Sequence, residues 1–330
     1  MIKKKVFLFI SIFTVTTLAV IACSSSTSSS SSSSSYYSSY IEDKVYTLSQ
    51  IKEQNNINYS FAFITDLHIE YNEKKSPTLL KEINKQYTLD KVVLGGDYIS
   101  NDYEDVETAK SLMKECIDPF SSFNYTAIVG NHDSNNNSKV GTPEIPDAEV
   151  YSIINNCQAE YPYSLEKNDD KKICLFYLNS GTSAGSFSDE KQKQFLYDGL
   201  MNLDSSWSAL IFIHIIFDGA YENNNQSVIQ KVGLELTDFI STFFEQLSCS
   251  VVGVFSGHSH LDYMDVNTYS CPIVTTMCDA LGVYNPNYNI YRREKGKVTE
   301  QAFDIVQVDT ENHKVFLTRI GGGSDRYYSY

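Results

Sequence analysis

Five of the six histidines fall in short blocks that follow apolar runs. The blocks are Asp66-Leu67-His68, Gly96-Asp97, Gly130-Asn131-His132-Asp133, a separate His214 and Gly257-His258-Ser259-His260, and only His313 lies outside them. Singly, each block has an ordinary explanation. An aspartate such as Asp97 after a strand caps a helix or closes a turn, and Asn131-His132 would be a turn. His214 would be a core histidine, and His258 and His260 a solvated loop. Five such blocks in order point instead to metal binding. Asp66 and Asp97 offer carboxylates, Asn131 an amide oxygen, and His68, His214, His258 and His260 imidazoles, with no thiolate. That donor set suits divalent transition metals such as Mn, Fe or Zn. Seven donors are too many for one tetrahedral ion and fit two ions that share a bridge. Gly95, Gly96, Gly130 and Gly257 precede the donors, where a sharp backbone turn is expected.

The elements that must position these groups are legible in the pattern. Ser60–Thr65, Lys91–Leu94 and Tyr125–Val129 read as strands, each ending at one of the blocks. Between them, Ser76 and Pro77 look like the N-cap and first position of a helix whose face is Leu79, Leu80, Ile83 and Tyr87. Val106, Ala109, Met113, Cys116 and Ile117 mark a second helix, stopped by Pro119. This β-α-β-α-β order predicts parallel strands covered by helices, with loops beyond the strand ends converging on one crevice. Further strands are expected at 173–178, 209–216, 251–255, 273–276, 303–308 and 315–320. A helix carrying Phe195 and Leu196 lies among them, and the longest amphipathic helix is expected over 232–247. The Asn- and Ser-rich stretch 134–142 reads as a loop, and the region to about 170 as an insertion over one end of the sheet.

At 330 residues with 42% hydrophobic content, the chain suits one large globular domain with additions, not a disordered chain. Its net charge of -15 argues against a grip on duplex nucleic acid, which needs a basic face. The one long apolar run is at the amino terminus. Lys3, Lys4 and Lys5 precede the uncharged stretch Val6–Ile21, which suits an export signal over residues 1–22. Ala22 before Cys23 resembles the bacterial lipobox, so Cys23 is the expected lipidation site; an uncleaved anchor helix is the plainer alternative. Either puts the body in the bacterial cell envelope, outside the cytoplasm and held to a membrane. Residues 23–40, with eleven serines and one threonine between Ser24 and Ser35, read as a flexible tether, and 41–330 as the folded domain. No C-x-x-C pair occurs, so a structural zinc site is not expected, and Cys174 in an apolar run reads as a buried free thiol.

The order D-x-H, G-D, G-N-H-D, H, G-H-x-H resembles the calcineurin-like metallophosphoesterases, with all five blocks present from Asp66 to His260. The resemblance implies a four-layer α/β/β/α sandwich with two mixed sheets. It implies that Asp66, His68 and His260 hold one metal, that Asn131, His214 and His258 hold the other, and that Asp97 bridges them. It also implies that His132 contacts substrate phosphate and protonates the leaving oxygen, and that Asp133 orients its neighbours. His68 and Ser100 stand where purple acid phosphatases carry other residues, so an iron–tyrosinate centre is not expected. The ending Arg319–Arg326 looks like that of secreted bacterial members, with Arg326 expected as an exposed charge. The implied activity is hydrolysis of small or mobile phosphate mono- or diesters by two divalent ions. The alternative is a catalytically silent binding lipoprotein on the same fold. Two divalent ions would outweigh the two aspartates locally, so the crevice is positive inside an acidic shell.

Overall fold

Alternate residues of the central strands bury on opposite faces, so each strand serves two cores at once. In the computed structural model, which describes residues 31–137, 139–180, 187–216, 220–223, 226–229, 235–286 and 291–330, strand β1 (Tyr59–Ile64) shows this directly. Tyr59, Phe61 and Phe63 face a core between two sheets, while Ala62 and Ile64 face a layer of helices. Helix α1 (Ser31–Gln54) precedes β1; then come α2 (Ser76–Gln86), β2 (Lys91–Leu94), α3 (Val106–Ile117) and β3 (Tyr125–Ala127). Next are α4 (Asp147–Ile154), β4 (Ser164–Asn168), β5 (Ile173–Tyr177), α5 (Glu190–Met201) and β6 (Ser208–Phe212). An antiparallel pair of strands, β7 (Ala220–Asn223) and β8 (Gln226–Ile229), is followed by α6 (Glu235–Ser241) and β9 (Ser250–Ser256). The chain ends with β10 (Tyr263–Asp265), β11 (Ile273–Thr275), β12 (Ala302–Asp309), β13 (Lys314–Gly321) and β14 (Arg326–Ser329).

The strands form two six-stranded mixed sheets, ordered β14-β13-β12-β1-β2-β3 and β10-β11-β9-β6-β5-β4. β1, β2 and β3 are mutually parallel, as are β5, β6, β9 and β11. Phe61 meets Phe212 and Phe255 edge-on at 5.5 and 5.4 Å, joining the sheets face to face. Helices α1 to α4 cover the first sheet, and α5 and α6 the second, which gives the expected four-layer α/β/β/α sandwich. The fully buried Phe61 is the hinge of that packing. Phe61→Ala should destabilise the fold by about 3–5 kcal/mol. Urea denaturation checks this, and a loss under about 1 kcal/mol would mean that the two sheets close over the gap.

Several expected boundaries shift for physical reasons. The expected limit between tether and domain at residue 41 falls inside α1. Tyr37 and Tyr40 pack against the helix-side core with Ile41 and Leu48, and the Tyr40 hydroxyl accepts the Gly321 N–H at 2.7 Å. Residues 134–170 are not an insertion over one end. Val150, Tyr151 and Ile154 of α4 enter the helix-side core, and β4 forms the edge of the second sheet beside β5. The expected long helix over 232–247 is α6 followed by a short 3-10 turn at Phe244–Gln246, with part of the range outside the described residues. Ser76 is not a cap: it lies inside α2, and its hydroxyl donates to Asp279 Oδ1 at 2.6 Å. The export signal over 1–22 and Cys23 lie outside the described residues, among which no helix is long and apolar enough to cross a membrane.

Candidate metal centre

Parallel strands deliver the sequence blocks to a common edge. Asp66 and His68 follow β1, Asp97 follows β2, Asn131 and His132 follow β3, and His214 follows β6. His258 and His260 follow β9, so donors come from both sheets. Two of the bonds here cross between the sheets, through His214 to Gly95 and His258 to Asp66, and a third ties the ends of β6 and β9 together. The His214 Nδ1 reaches Gly95 O at 2.6 Å, Gly257 N donates to His214 O at 3.0 Å, and His258 N to Asp66 Oδ2 at 3.0 Å. The expected strand over 209–216 stops at Phe212, which frees His214 to turn into the crevice.

Two clusters result. Asp66, His68 and His260 each offer a donor atom within 4.8 Å of one another, and so do Asp97, His214 and His258. Asp97 also reaches the first cluster: its Oδ2 is 3.1 Å from His214 Nε2 and 3.8 Å from His68 Nε2. Its Oδ1 accepts the His132 backbone N–H at 2.9 Å. The Asn131 side-chain oxygen is buried without a hydrogen-bond partner, as are both ring nitrogens of His68. Asp66 Oδ1 and His214 Nε2 have no partner in hydrogen-bond geometry but stand at ion-pair distance, 3.2 Å from His260 Nε2 and 3.1 Å from Asp97 Oδ2. Buried polar atoms are normally satisfied, so these orphans fit a divalent cation that would complete them. The ring tautomers suit it too. His214 and His260 turn Nδ1 to the carbonyls of Gly95 and Val283, which leaves each Nε2 facing the crevice.

The electrostatics agree. Burial pushes the Asp66 carboxyl up, but His260 at 3.2 Å and His214 together outweigh it and leave the carboxyl at about 2. Burial likewise opposes ionisation of Asp97, and the His214 imidazole beside it holds it well below the usual range. Burial brings His68 down to about 4, so its ring is neutral, as a ligand must be. His214 feels burial in the same sense, but Asp97 outweighs it and lifts it to about 10, so a cation binding there would release a proton.

The turning of the backbone differs from expectation. Asp66, His68, Asp97, His258 and His260 themselves lie at positive φ (54°, 34°, 57°, 65° and 57°), each at a cost of about 1 kcal/mol or more. The neighbouring glycines supply room. A Cβ on Gly130 would sit 2.2 Å from both Asp97 N and Oδ1, and one on Gly257 2.0 Å from Thr65 Oγ1. Strain on five donor residues persists only where the surroundings dictate it.

His132 stands at the mouth, its side chain 33% exposed, with its ring edge-on to His68 at 5.1 Å and Nε2 3.9 Å from Asp97 Oδ2. Asp133 is fully buried and accepts the N–H groups of Asp97, Tyr98 and Gly130 at 3.0, 2.7 and 2.8 Å. Burial and then the Asp97 charge push its carboxyl up to about 8. The Tyr98 hydroxyl points away from the clusters, towards the carbonyls of Leu94 and Ile128 at 2.9 and 2.8 Å. Arg326, expected as an exposed charge, is mostly buried and pairs with Asp304 at 2.6 Å, because β14 folds back along β13. Sequence reasoning missed Asp279 and Arg293. Asp279 N donates to Thr65 O, Ala280 N to Asp66 O, and Arg293 holds the carbonyls of Cys278 and Asp279 at 2.6 Å each. This shelf carries Val283 to His260.

The fold is similar to a dimetal phosphatase from Danio rerio, at 14% identity and a TM-score of 0.53 over 83% of this chain and 99% of that one. Vacuolar protein sorting 29 from Cryptosporidium parvum (12% identity, TM-score 0.35, 82% and 98% covered) is a weaker likeness. So is an NAD nucleotidase from Haemophilus influenzae (12% identity, TM-score 0.39, 82% and 53% covered). No curated protein sequence matches the chain. The calcineurin-like phosphoesterase profile matches residues 59–262, which takes in every strand-end block, β1 to β3 of the first sheet and β4, β5, β6 and β9 of the second. The chain therefore belongs to the calcineurin-like phosphoesterase family.

Proposed function

We propose that the protein is a hydrolase of phosphate mono- or diesters that works with two divalent transition-metal ions. The observation that carries this is the gathering of donor atoms in two adjoining clusters, with the buried Asn131 side-chain oxygen and both His68 ring nitrogens left without a hydrogen-bond partner. Asp66, His68 and His260 would hold one ion, Asn131, His214 and His258 the other, and Asp97 both. Such ions polarise phosphoryl oxygens and supply hydroxide near neutral pH. Asp133 keeps the Asp97 and Gly130 backbone in place through its accepted hydrogen bonds. His132, whose side chain is one-third exposed, would meet the phosphate or its leaving oxygen. The family and the fold support metal-dependent phosphoester hydrolysis in general. The acidic body disfavours long duplex nucleic acid and leaves small or mobile esters as substrates.

Elemental analysis of the purified protein, with a screen of phosphomonoesters, diesters and nucleotides, tests this reading. Two transition-metal ions per chain with metal-dependent turnover is the expected result. Two ions without turnover on any ester would favour a silent binding role.

We further propose that lipid on Cys23 holds the body to the bacterial envelope from outside the cytoplasm, with the serines after it as spacer. More than one acyl chain on one residue is what stable anchoring needs. Cys23→Ser should move the protein from the detergent phase to the aqueous phase or leave it unprocessed. Unchanged partitioning with normal processing would rule the lipid out.

A further inference from the structure

The glycine-rich ending that begins at Arg319 has no part in the chemistry above, yet Arg319 is among the largest fully buried side chains. It leaves β13 of the first sheet and donates through Nε to Asp304 Oδ1 at 2.9 Å. Its Nη2 reaches Asp262 Oδ1 at 2.5 Å, and Asp262 belongs to the loop after β9 of the second sheet, two residues beyond His260. The ending wraps this guanidinium closely. Gly322 O accepts from Nη1 at 3.0 Å, and a Cβ on Gly323, at φ 120°, would sit 2.6 Å from Nη1. Asp325 Oδ1 accepts the Arg319 backbone N–H at 2.8 Å.

Asp262 is thereby fixed, and so is what it touches. Its Oδ1 also accepts the Met277 N–H at 3.2 Å, which ties the β9 loop to the segment beyond β11. The loop needs holding at both ends, since His258 and His260 both lie at positive φ. Its entry is held by Gly257 N on His214 O and by His258 N on Asp66 Oδ2. Its exit is held by Asp262. We propose that the Arg319–Asp262 pair is a positioning device that fixes His260 for metal binding, from a residue of the opposite sheet. This rests on the reading above that His258 and His260 are ligands of different ions. The pair acts at the exit end, so its loss should loosen the ion on His260 and spare the ion on His258 and His214.

Cobalt(II) titration of the purified full chain, followed by visible absorption and elemental analysis, tests the proposal, with urea unfolding as a check on the fold. Asp262→Asn keeps an acceptor for Met277 and the guanidinium but loses the charge; it should weaken one ion about threefold or more. Asp262→Ala should weaken the same ion about 10- to 100-fold and leave the other within about twofold. Arg319→Lys, which loses the planar fork, should loosen that same ion. His260→Ala identifies the ion, because the ion lost there should be the one loosened by the other variants. Equal weakening of both ions, or undiminished affinity for both in the folded variants, overturns the proposal. If Asp262→Ala does not fold, Asp262→Asn decides alone, and unchanged affinity there overturns it. A wild-type chain that takes up fewer than two ions, or a His260→Ala chain that keeps two, overturns the two-ion reading and the proposal with it.

Discussion

Asp97→Asn should lose metal and turnover together. Asp97 is fully buried, with one oxygen facing His214 at 3.1 Å and His68 at 3.8 Å, so it stands in reach of both clusters. An amide at this position keeps the shape but removes the negative charge that offsets two dications in a buried site. It also presents either an oxygen or an NH2 group to the clusters, and NH2 cannot ligate. The other half of the side chain has a second task, since Oδ1 accepts the His132 backbone N–H at 2.9 Å. An amide that keeps its oxygen on that N–H must turn its NH2 toward His214 and His68. Elemental analysis should therefore find fewer than two ions per chain, and hydrolysis should fall below detection even with excess metal. An Asp97→Asn protein that holds two ions would contradict the bridging role. Asp66→Asn should do less harm to the pair, because the Asp66 carboxylate faces only the His260 side, with its Oδ2 already taken by Thr65 and the His258 N–H.

The gathering of these side chains at one edge was legible in the sequence because its signal is local. A polar block that follows an apolar run places its side chains at a strand end, and parallel strands bring their ends together. Asp66 with His68 and His260, and Asp97 with His214 and His258, meet in this way in the structure. What holds the donors was not legible, because it is made of contacts between segments far apart in the chain. The groups that receive the His214 and His260 rings are the carbonyls of Gly95 and Val283, and a carbonyl has no side-chain signature. Asp279, Arg293 and Arg319 do carry side chains, but their partners lie on other elements and no spacing rule relates them. Ser76 shows the same limit. Its type and place before Pro77 suggested a cap, and only the folded chain sets Asp279 against its hydroxyl. The start of α1 was hidden by composition, since a serine run alone predicts a solvated tether. The tyrosines after it decide otherwise by docking on the helix-side core.

His132→Ala should keep both metals and lose rate. The side chain is one-third exposed, where those of His68 and His214 are buried, and unlike the other four histidines of the crevice it belongs to neither cluster. Its tie to Asp97 that the fold depends on runs through the backbone N–H, which alanine retains. The ring rests edge-on against His68, so truncation removes a contact but leaves no charge uncompensated. What goes is a group at the mouth that can hold a proton near a leaving oxygen. General acid help is typically worth about 10²–10⁴-fold. The loss should appear mainly in kcat, since a proton given in the transition state does not strengthen ground-state binding. It should also depend on the leaving group. An alkyl phosphate leaves as a strongly basic alkoxide and should slow by the full factor, while a nitrophenyl ester leaves as a stable anion and should slow little. The measurement is therefore a pair of substrates on one variant, with metal content determined alongside. A His132→Ala protein that loses metal would place the ring among the ligands. Equal slowing of both esters would make it a phosphate-positioning group, because positioning serves every substrate alike.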